Sequence, residues 1–239
     1  MAQTAVIAGV GPGLGESIAR TFAEHGCNVA LFARSEEYIE DLAEDLPAPG
    51  DGLAVPTDLR DVAAIEAGFE TVRDAYGGVD ILVNHASAAA WKGLTDISLD
   101  EFEQAWAVNG RGAFVCSREA VDDMLDTGGG TIIFTGATSA VRSLGGTIGF
   151  TAAKFAARGM AMDIAQEFGP EGIHVAHVVL DGQIETPDLR ARDSDRDDET
   201  LLDPDAIADT YWHLVEQDDH STQPFEVQIT NGPGNTEFM

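Results

Sequence analysis

Thr4-Ala5-Val6-Ile7-Ala8-Gly9-Val10-Gly11-Pro12-Gly13-Leu14-Gly15 changes character within a dozen residues. Residues 4–9 are short, apolar and end in glycine, the composition of a strand buried on both faces. From Leu14 the apolar residues recur as Leu14, Ile18 and Phe22, along one helical face, and His25-Gly26 stops the run. The junction is glycine-rich. Its spacing is G-x-x-x-G-x-G through Gly9, Gly13 and Gly15, with Leu14 between the last two; a G-x-G-x-x-G reading fails because position 14 is leucine. Backbone without side chains can approach a pyrophosphate closely, and its charge then meets the amides of a helix N-terminus. A glycine loop alone marks only a tight turn. Placed after a strand and opening a helix, it predicts a dinucleotide site.

Working outward, short apolar runs alternate with helix-like segments. Strand-like runs fall at residues 28–33, 52–56, 79–84, 130–135, 174–180 and 225–229. Helical patterns lie between them, the longest at about 102–125 and 147–168. Continuous apolar strands separated by helices of this length predict an α/β fold. The expected architecture is a Rossmann-type doubly wound parallel sheet of about seven strands, covered by helices on both faces in three layers. The whole chain, 1–239, reads as one dinucleotide-binding domain.

Charge narrows the partners. Asp and Glu number 42 against 13 Lys and Arg, a formal net charge of −29. Such a chain repels nucleic acid and anionic membrane surfaces, so neither partner is expected. The carboxylates are dispersed, and Lys92 and Lys154 are the only lysines. That balance resembles proteins of salt-accumulating (halophilic) organisms, in which concentrated cation screens self-repulsion. Cys27 and Cys116 are too few for a disulfide framework or a zinc site. No apolar run reaches about 18 residues and no charged-then-apolar leader opens the chain, so a cytoplasmic protein is expected.

Several segments in order resemble the short-chain dehydrogenase/reductase family, over about residues 4–229. The glycine loop is the first. Asp58-Leu59 matches the family's adenine-ring contact, and Asn84-His85-Ala86-Ser87 is similar to its Asn-Asn-Ala-Gly segment. Asn109 falls where the family carries an active-site asparagine. Gly149-Phe150-Thr151-Ala152-Ala153-Lys154 resembles its Tyr-x-x-x-Lys helix, and Gly182-Gln183-Ile184-Glu185-Thr186 its Pro-Gly-x-x-x-Thr segment. The resemblance implies a nicotinamide cofactor held by Gly9, Gly13, Leu14, Gly15, Arg34, Asp58, Leu59, Asn84, His85, Ala86, Lys154, Ile184 and Thr186. It also implies a small-molecule substrate and a homodimer or homotetramer with the two long helices packed across a twofold axis.

At the end of the second strand, where an acid would hold the ribose 2′-hydroxyl of NAD, the chain has Ala33-Arg34. A guanidinium binds a 2′-phosphate through paired hydrogen bonds, whereas an acid repels one. NADP(H) is therefore favoured over NAD(H), against the nearby Glu36 and Glu37 and the uncharged Pro12.

The resemblance implies a tyrosine that donates a proton to a carbonyl as hydride moves, a lysine four residues on, an orienting serine and an asparagine. Lys154 is present, and in a chain with two lysines a surface role for it loses weight. Asn109 is present. Position 150 is phenylalanine, which neither donates nor accepts a proton. Thirteen residues before it stands Ala137 where a serine belongs; Thr138 or Ser139 substitutes only if the loop shifts register. Lys154, Asn109 and Ser139 are thus the expected catalytic set.

Three readings follow. The first is an NADP(H)-linked oxidoreductase with a proton from elsewhere: Ser139, Ser143, Thr151, His85, or water held by Asn109 and Lys154. The second is a weak or inactive nucleotide-binding protein acting as a sensor or structural partner. The third is a lyase, epimerase or dehalogenase-like use of the fold. Residues 186–202 are charged and lack an apolar period, so a substrate-covering loop is expected there. Trp91 and Phe150 suggest an apolar rim to the pocket. Tyr76 and Tyr211 lie in segments not expected near the site. His25, His174, His177, His213 and His220 show no ligand spacing, so no metal is expected.

Overall fold

The computed structural model describes residues 2–193, 201–217, 219 and 221–231. In chain order the elements are β1 (Thr4–Ala8), α1 (Leu14–Glu24), β2 (Asn28–Ala33), α2 (Glu36–Glu44), β3 (Asp51–Pro56), α3 (Val62–Tyr76) and β4 (Ile81–Asn84). Then come α4 (Leu99–Trp106), a π-helical turn (Ala107–Gly112), α5 (Ala113–Thr127), β5 (Gly130–Thr135), a 3₁₀ turn (Thr138–Ala140) and α6 (Ile148–Phe168). The remainder comprises a second 3₁₀ turn (Gly169–Glu171), β6 (Ile173–Asp181), β7 (Gln183–Ile184), α7 (Pro187–Arg192), β8 (Leu201–Leu202), α8 (Pro204–Val215) and β9 (Glu226–Thr230).

Seven strands form one parallel sheet in the order β3-β2-β1-β4-β5-β6-β9, and β7 and β8 form a separate pair. Every residue of β1 is buried, as its unbroken apolar run requires of a central strand. One face of the sheet buries Ile18 and Phe22 of α1, Ile39 and Leu42 of α2, and Ile207, Tyr211 and Leu214 of α8. The other buries Ile65, Phe69 and Val72 of α3, Val115, Ala120 and Met124 of α5, and Ala157 and Ala161 of α6. This is the doubly wound, three-layer α/β fold read from the sequence.

Strand order reverses between β1 and β4, so the chain leaves their carboxyl ends in opposite directions and opens a crevice there. Two local features differ from the sequence reading. The helical stretch after residue 99 carries one π turn centred on Asn109. The expected loop at 186–202 begins as α7, capped by Thr186 Oγ1 accepting from the Leu189 amide, and ends in β8; its residues 194–200 lie outside the described residues.

Candidate active site

A cavity of about 560 Å³ occupies the crevice. Its floor is the glycine loop. Gly9 has φ +111°, and a Cβ there would meet Ala86 Cα at 2.4 Å, so this glycine lets the β1 and β4 ends touch. A Cβ at Gly15 would meet Gly9 O at 3.1 Å, which fixes the close packing of α1 on its strand. At Gly11 a Cβ would meet nothing within 4 Å, so the loop crest faces open space. No side chain caps α1 at Gly13. An uncapped helix N-terminus opening on a glycine-lined cavity has the donors and the room a pyrophosphate needs. Leu14, Gly15, His85, Ala86, Ile184 and Thr186 line the same cavity; Gly13 itself packs against Thr186.

At the far end lie the carboxyl ends of β2 and β3. The Thr57 amide donates to Ala33 O at 2.8 Å, which sets Arg34 beside Asp58. Arg34, Ser35, Asp58, Leu59 and Arg60 all line the cavity. Asp58 accepts from Arg60 Nε at 3.0 Å and Nη2 at 2.6 Å, and the Arg60 guanidinium holds its carboxyl down at about 2. Among the described residues Arg34 is the one arginine with no hydrogen bond or ion pair to another residue.

The inner end centres on Thr135. Its carbonyl accepts from Lys154 Nζ at 2.8 Å. Its hydroxyl lies 3.1 Å from His85 Nδ1 and 2.8 Å from the Tyr211 hydroxyl. Burial drags the Lys154 ammonium down to about 8; burial and the Lys154 charge together push His85 down to about 4, so its imidazole is neutral at pH 7. Tyr211, set aside in the sequence reading, is therefore packed directly behind the site; α8 delivers it from 76 residues away. Phe150 lines the wall next to Lys154, and Trp91 leans on it with ring centroids 5.4 Å apart.

Asn109 does not line the main cavity. Its amide nitrogen donates to Ala88 O and Ala105 O, at 2.7 and 2.8 Å, and it stands with Asn84 and Lys154 around a second void of about 10 Å³, the size of one water. Asn84 donates to Ser117 Oγ, and both asparagine side-chain oxygens are buried without a partner. The structure differs from the sequence expectation at Ser139: Ala137 lines the cavity, and Ser139 is buried in the 3₁₀ turn, outside the lining. The neighbouring Thr138 hydroxyl is bound to Asp181. Among the described residues no group of His, Cys, Asp or Glu is arranged for a metal; His174 spans Leu214 O and Pro224 O, His177 meets Glu226, and His220 lies outside the described residues.

Residues 3–197 match the family model described as short chain dehydrogenase. The chain belongs to the short-chain dehydrogenase family. It is 32% identical over 201 residues to the oxidoreductase UcpA of Salmonella typhimurium, covering 82% of this chain and 75% of that one. An uncharacterized oxidoreductase of Thermotoga maritima is 36% identical over 142 residues, 59% of this chain and 56% of that protein. Among solved structures, L-sorbose reductase from Gluconobacter frateurii with NADPH and L-sorbose superimposes with TM-score 0.88 at 24% identity, over 99% and 98% of the two chains. The 3-ketoacyl-(acyl-carrier-protein) reductase from Brucella melitensis with NADH gives 0.84 at 27%, over 96% and 97%.

This short-chain dehydrogenase is an oxidoreductase by family, and its crevice has the loop, cavity and open donors that fit a dinucleotide. The wall where the family resemblance calls for hydroxyls carries Phe150 and Ala137 instead.

Proposed function

We propose that the chain is an NADP(H)-linked oxidoreductase acting on a small molecule, with a proton source other than residue 150. The observation that supports the cofactor choice is Arg34. In a chain of net charge −29, a cavity-lining guanidinium with no hydrogen bond or ion pair to a carboxylate among the described residues is the exception, and it stands beside the Ser35 hydroxyl at the uncapped start of α2. A phosphate monoester on the ribose fits that combination; a bare hydroxyl leaves Arg34 unpaired.

A bound nicotinamide supplies hydride exchange. The chain's part is to seat it, with Gly9, Gly13, Leu14 and Gly15 at the pyrophosphate, Asp58 and Leu59 at the adenine, and Asn84, His85, Ala86, Ile184, Thr186 and Lys154 towards the nicotinamide. Phe150 can neither give nor take a proton. His85, neutral at pH 7, is a poor donor, so the Lys154 ammonium is the acid best placed to act. Asn109 holds the π turn against Ala88 and, with Asn84, frames the small void beside Lys154.

The remaining properties accord with this reading. Among the described residues no helix is long and apolar enough to cross a membrane, and a cytoplasmic setting with high salt suits the charge. Exposed Trp106, Phe114, Phe155 and Met162 on α4, α5 and α6 favour a homodimer or homotetramer built on those helices.

Fluorescence titration with NADPH and NADH in molar KCl tests the cofactor, and single-turnover mixing with a carbonyl panel tests the chemistry. NADPH is expected to bind at least about tenfold more tightly than NADH, the worth of one charge-assisted phosphate contact. Failure of both cofactors to bind removes the proposal.

A further inference from the structure

Arg60 was not singled out by any sequence motif, yet it lines the same end of the cavity as Arg34. Two hydrogen bonds from the Thr57 and Arg60 amides build this corner. Thr57 N on Ala33 O joins the β2 and β3 ends, and Arg60 N on Asp58 Oδ1 at 3.0 Å turns the chain so that the Arg60 side chain folds back over Asp58. Arg111 Nη2 donates to Arg60 O at 2.7 Å and anchors the turn from the π-helical segment. The Asp58 carboxyl is thereby flanked: Arg60 grips it directly, and the Arg34 charge also draws it down.

A guanidinium has five N–H donors in a fixed plane. Asp58 occupies Nε and one N–H of Nη2, along one edge. The three remaining donors, two of them along the Nη1–Nη2 edge, have no partner among the described residues. Asp58 therefore leaves the second edge of Arg60 available while fixing the plane in which it is offered, which removes rotamer freedom before any ligand arrives. The glycine loop offers no cation of its own here, because position 12 is proline.

We infer that Arg60 is the second cation of the site for the ribose 2′-phosphate, working as a pair with Arg34 and held in place by Asp58. This rests on the NADP(H) reading given above. The pair supplies two positive charges against one fixed carboxylate at the corner, so a phosphate monoester brings the corner near balance. A ribose hydroxyl does not. Lysine in place of Arg60 has one point charge and no second edge, so it cannot hold Asp58 and a phosphate in the same plane.

The test measures binding, not turnover, with 2′,5′-ADP and 5′-ADP as probes on the wild-type chain and on Arg34→Ala, Arg60→Ala and Arg60→Lys, in fixed KCl. Arg60 is exposed, and thermal melting of each variant checks that it is folded. Arg60→Ala is expected to weaken 2′,5′-ADP about tenfold while changing 5′-ADP by less than about threefold, with Arg60→Lys recovering only part of the loss. If the wild-type chain binds 2′,5′-ADP no better than 5′-ADP, the NADP(H) reading falls and the inference with it. If the wild type prefers 2′,5′-ADP and Arg34→Ala abolishes that preference, but Arg60→Ala leaves it intact or weakens both probes equally, the inference alone is overturned.

Discussion

Lys154 follows Phe150 by one turn of α6, and its ammonium stands 5.7 Å from the centre of the phenyl ring. The two side chains share one helix face, and both line the cavity. The arrangement keeps the cation that would tune a phenol while withholding the phenol. A cation over an aromatic face also compensates part of the cost of burying it.

Restoring the hydroxyl is the direct test of that geometry. Phe150→Tyr is expected to raise kcat/KM for NADPH-dependent reduction of aldehydes and ketones by about 10²-fold or more, the usual worth of a placed general acid. The double variant Phe150→Tyr with Ala137→Ser should gain more. Wild-type rates on the same panel that neither variant improves would show that the proton comes from a group independent of this wall.

Lys154 also ties stability to pH. Burial lowers its folded pKa to about 8, below the unfolded value near 10.5. Below pH 8 both states carry the proton, and the burial penalty is fully present. Between pH 8 and about 10.5 the unfolded state binds more protons, so stability contributed by this site rises with pH. Unfolding free energies of the wild type and Lys154→Met, measured by urea without cofactor, should diverge across that window in favour of the wild type. The expected divergence is up to about 3 kcal/mol. Parallel curves would show that Lys154 is not desolvated as the geometry requires.

The glycine loop separates two jobs that the sequence presents as one. Gly9→Ala places a methyl against Ala86 at a φ of +111°, so it should destabilise the fold by about 3 kcal/mol or more. Gly11→Ala meets nothing and should melt close to the wild type, while weakening dinucleotide binding by about tenfold through lost approach. A Gly11→Ala chain that melts normally and binds NADPH as the wild type does would place the pyrophosphate elsewhere.

That division marks what could be read in advance. The β1–loop–α1 unit was legible because the apolar period changes from continuous to helical across a glycine run, a purely local signal. The sheet was legible because its central strands are buried on both faces and therefore unbroken in hydrophobicity. Lys154 stood out because lysine is nearly absent elsewhere. Tyr211 was missed because its contact with Thr135 comes from packing α8 onto the sheet, and no local pattern encodes a partner 76 residues away. The place of Ser139 was not legible because spacing along a chain does not show that it falls in a 3₁₀ turn, buried and outside the cavity lining. Arg60 carries no local signal in the sequence; only the Asp58 turn shows where it folds.

Charge gives a prediction that needs no site at all. A net charge of −29 opposes compaction, and raising KCl from 0.1 M to 2 M shortens the screening length from about 10 Å to under about 3 Å. The melting temperature should rise by more than about 5 °C, equivalent to about 2 kcal/mol in a chain of this size. A melting temperature indifferent to KCl would remove the saline reading of the composition.

Phe155 and Met162 lie two turns apart on one face of α6, 42% and 49% exposed, and Phe114 and Leu125 lie three turns apart on α5, 50% and 40% exposed. Single exposed apolar residues are ordinary, but two helices each repeating them on one face make a surface that water covers poorly. A twofold assembly would bury each stripe against its own copy. Light scattering should therefore find the wild type as a dimer or tetramer. Phe155→Glu with Met162→Glu should give a monomer, since like charges would face each other across the axis at a surface already rich in acid. Because both residues are exposed in the single chain, the fold itself should survive the change, which circular dichroism checks. A wild type that runs as a monomer at micromolar concentration would leave these helices to another partner.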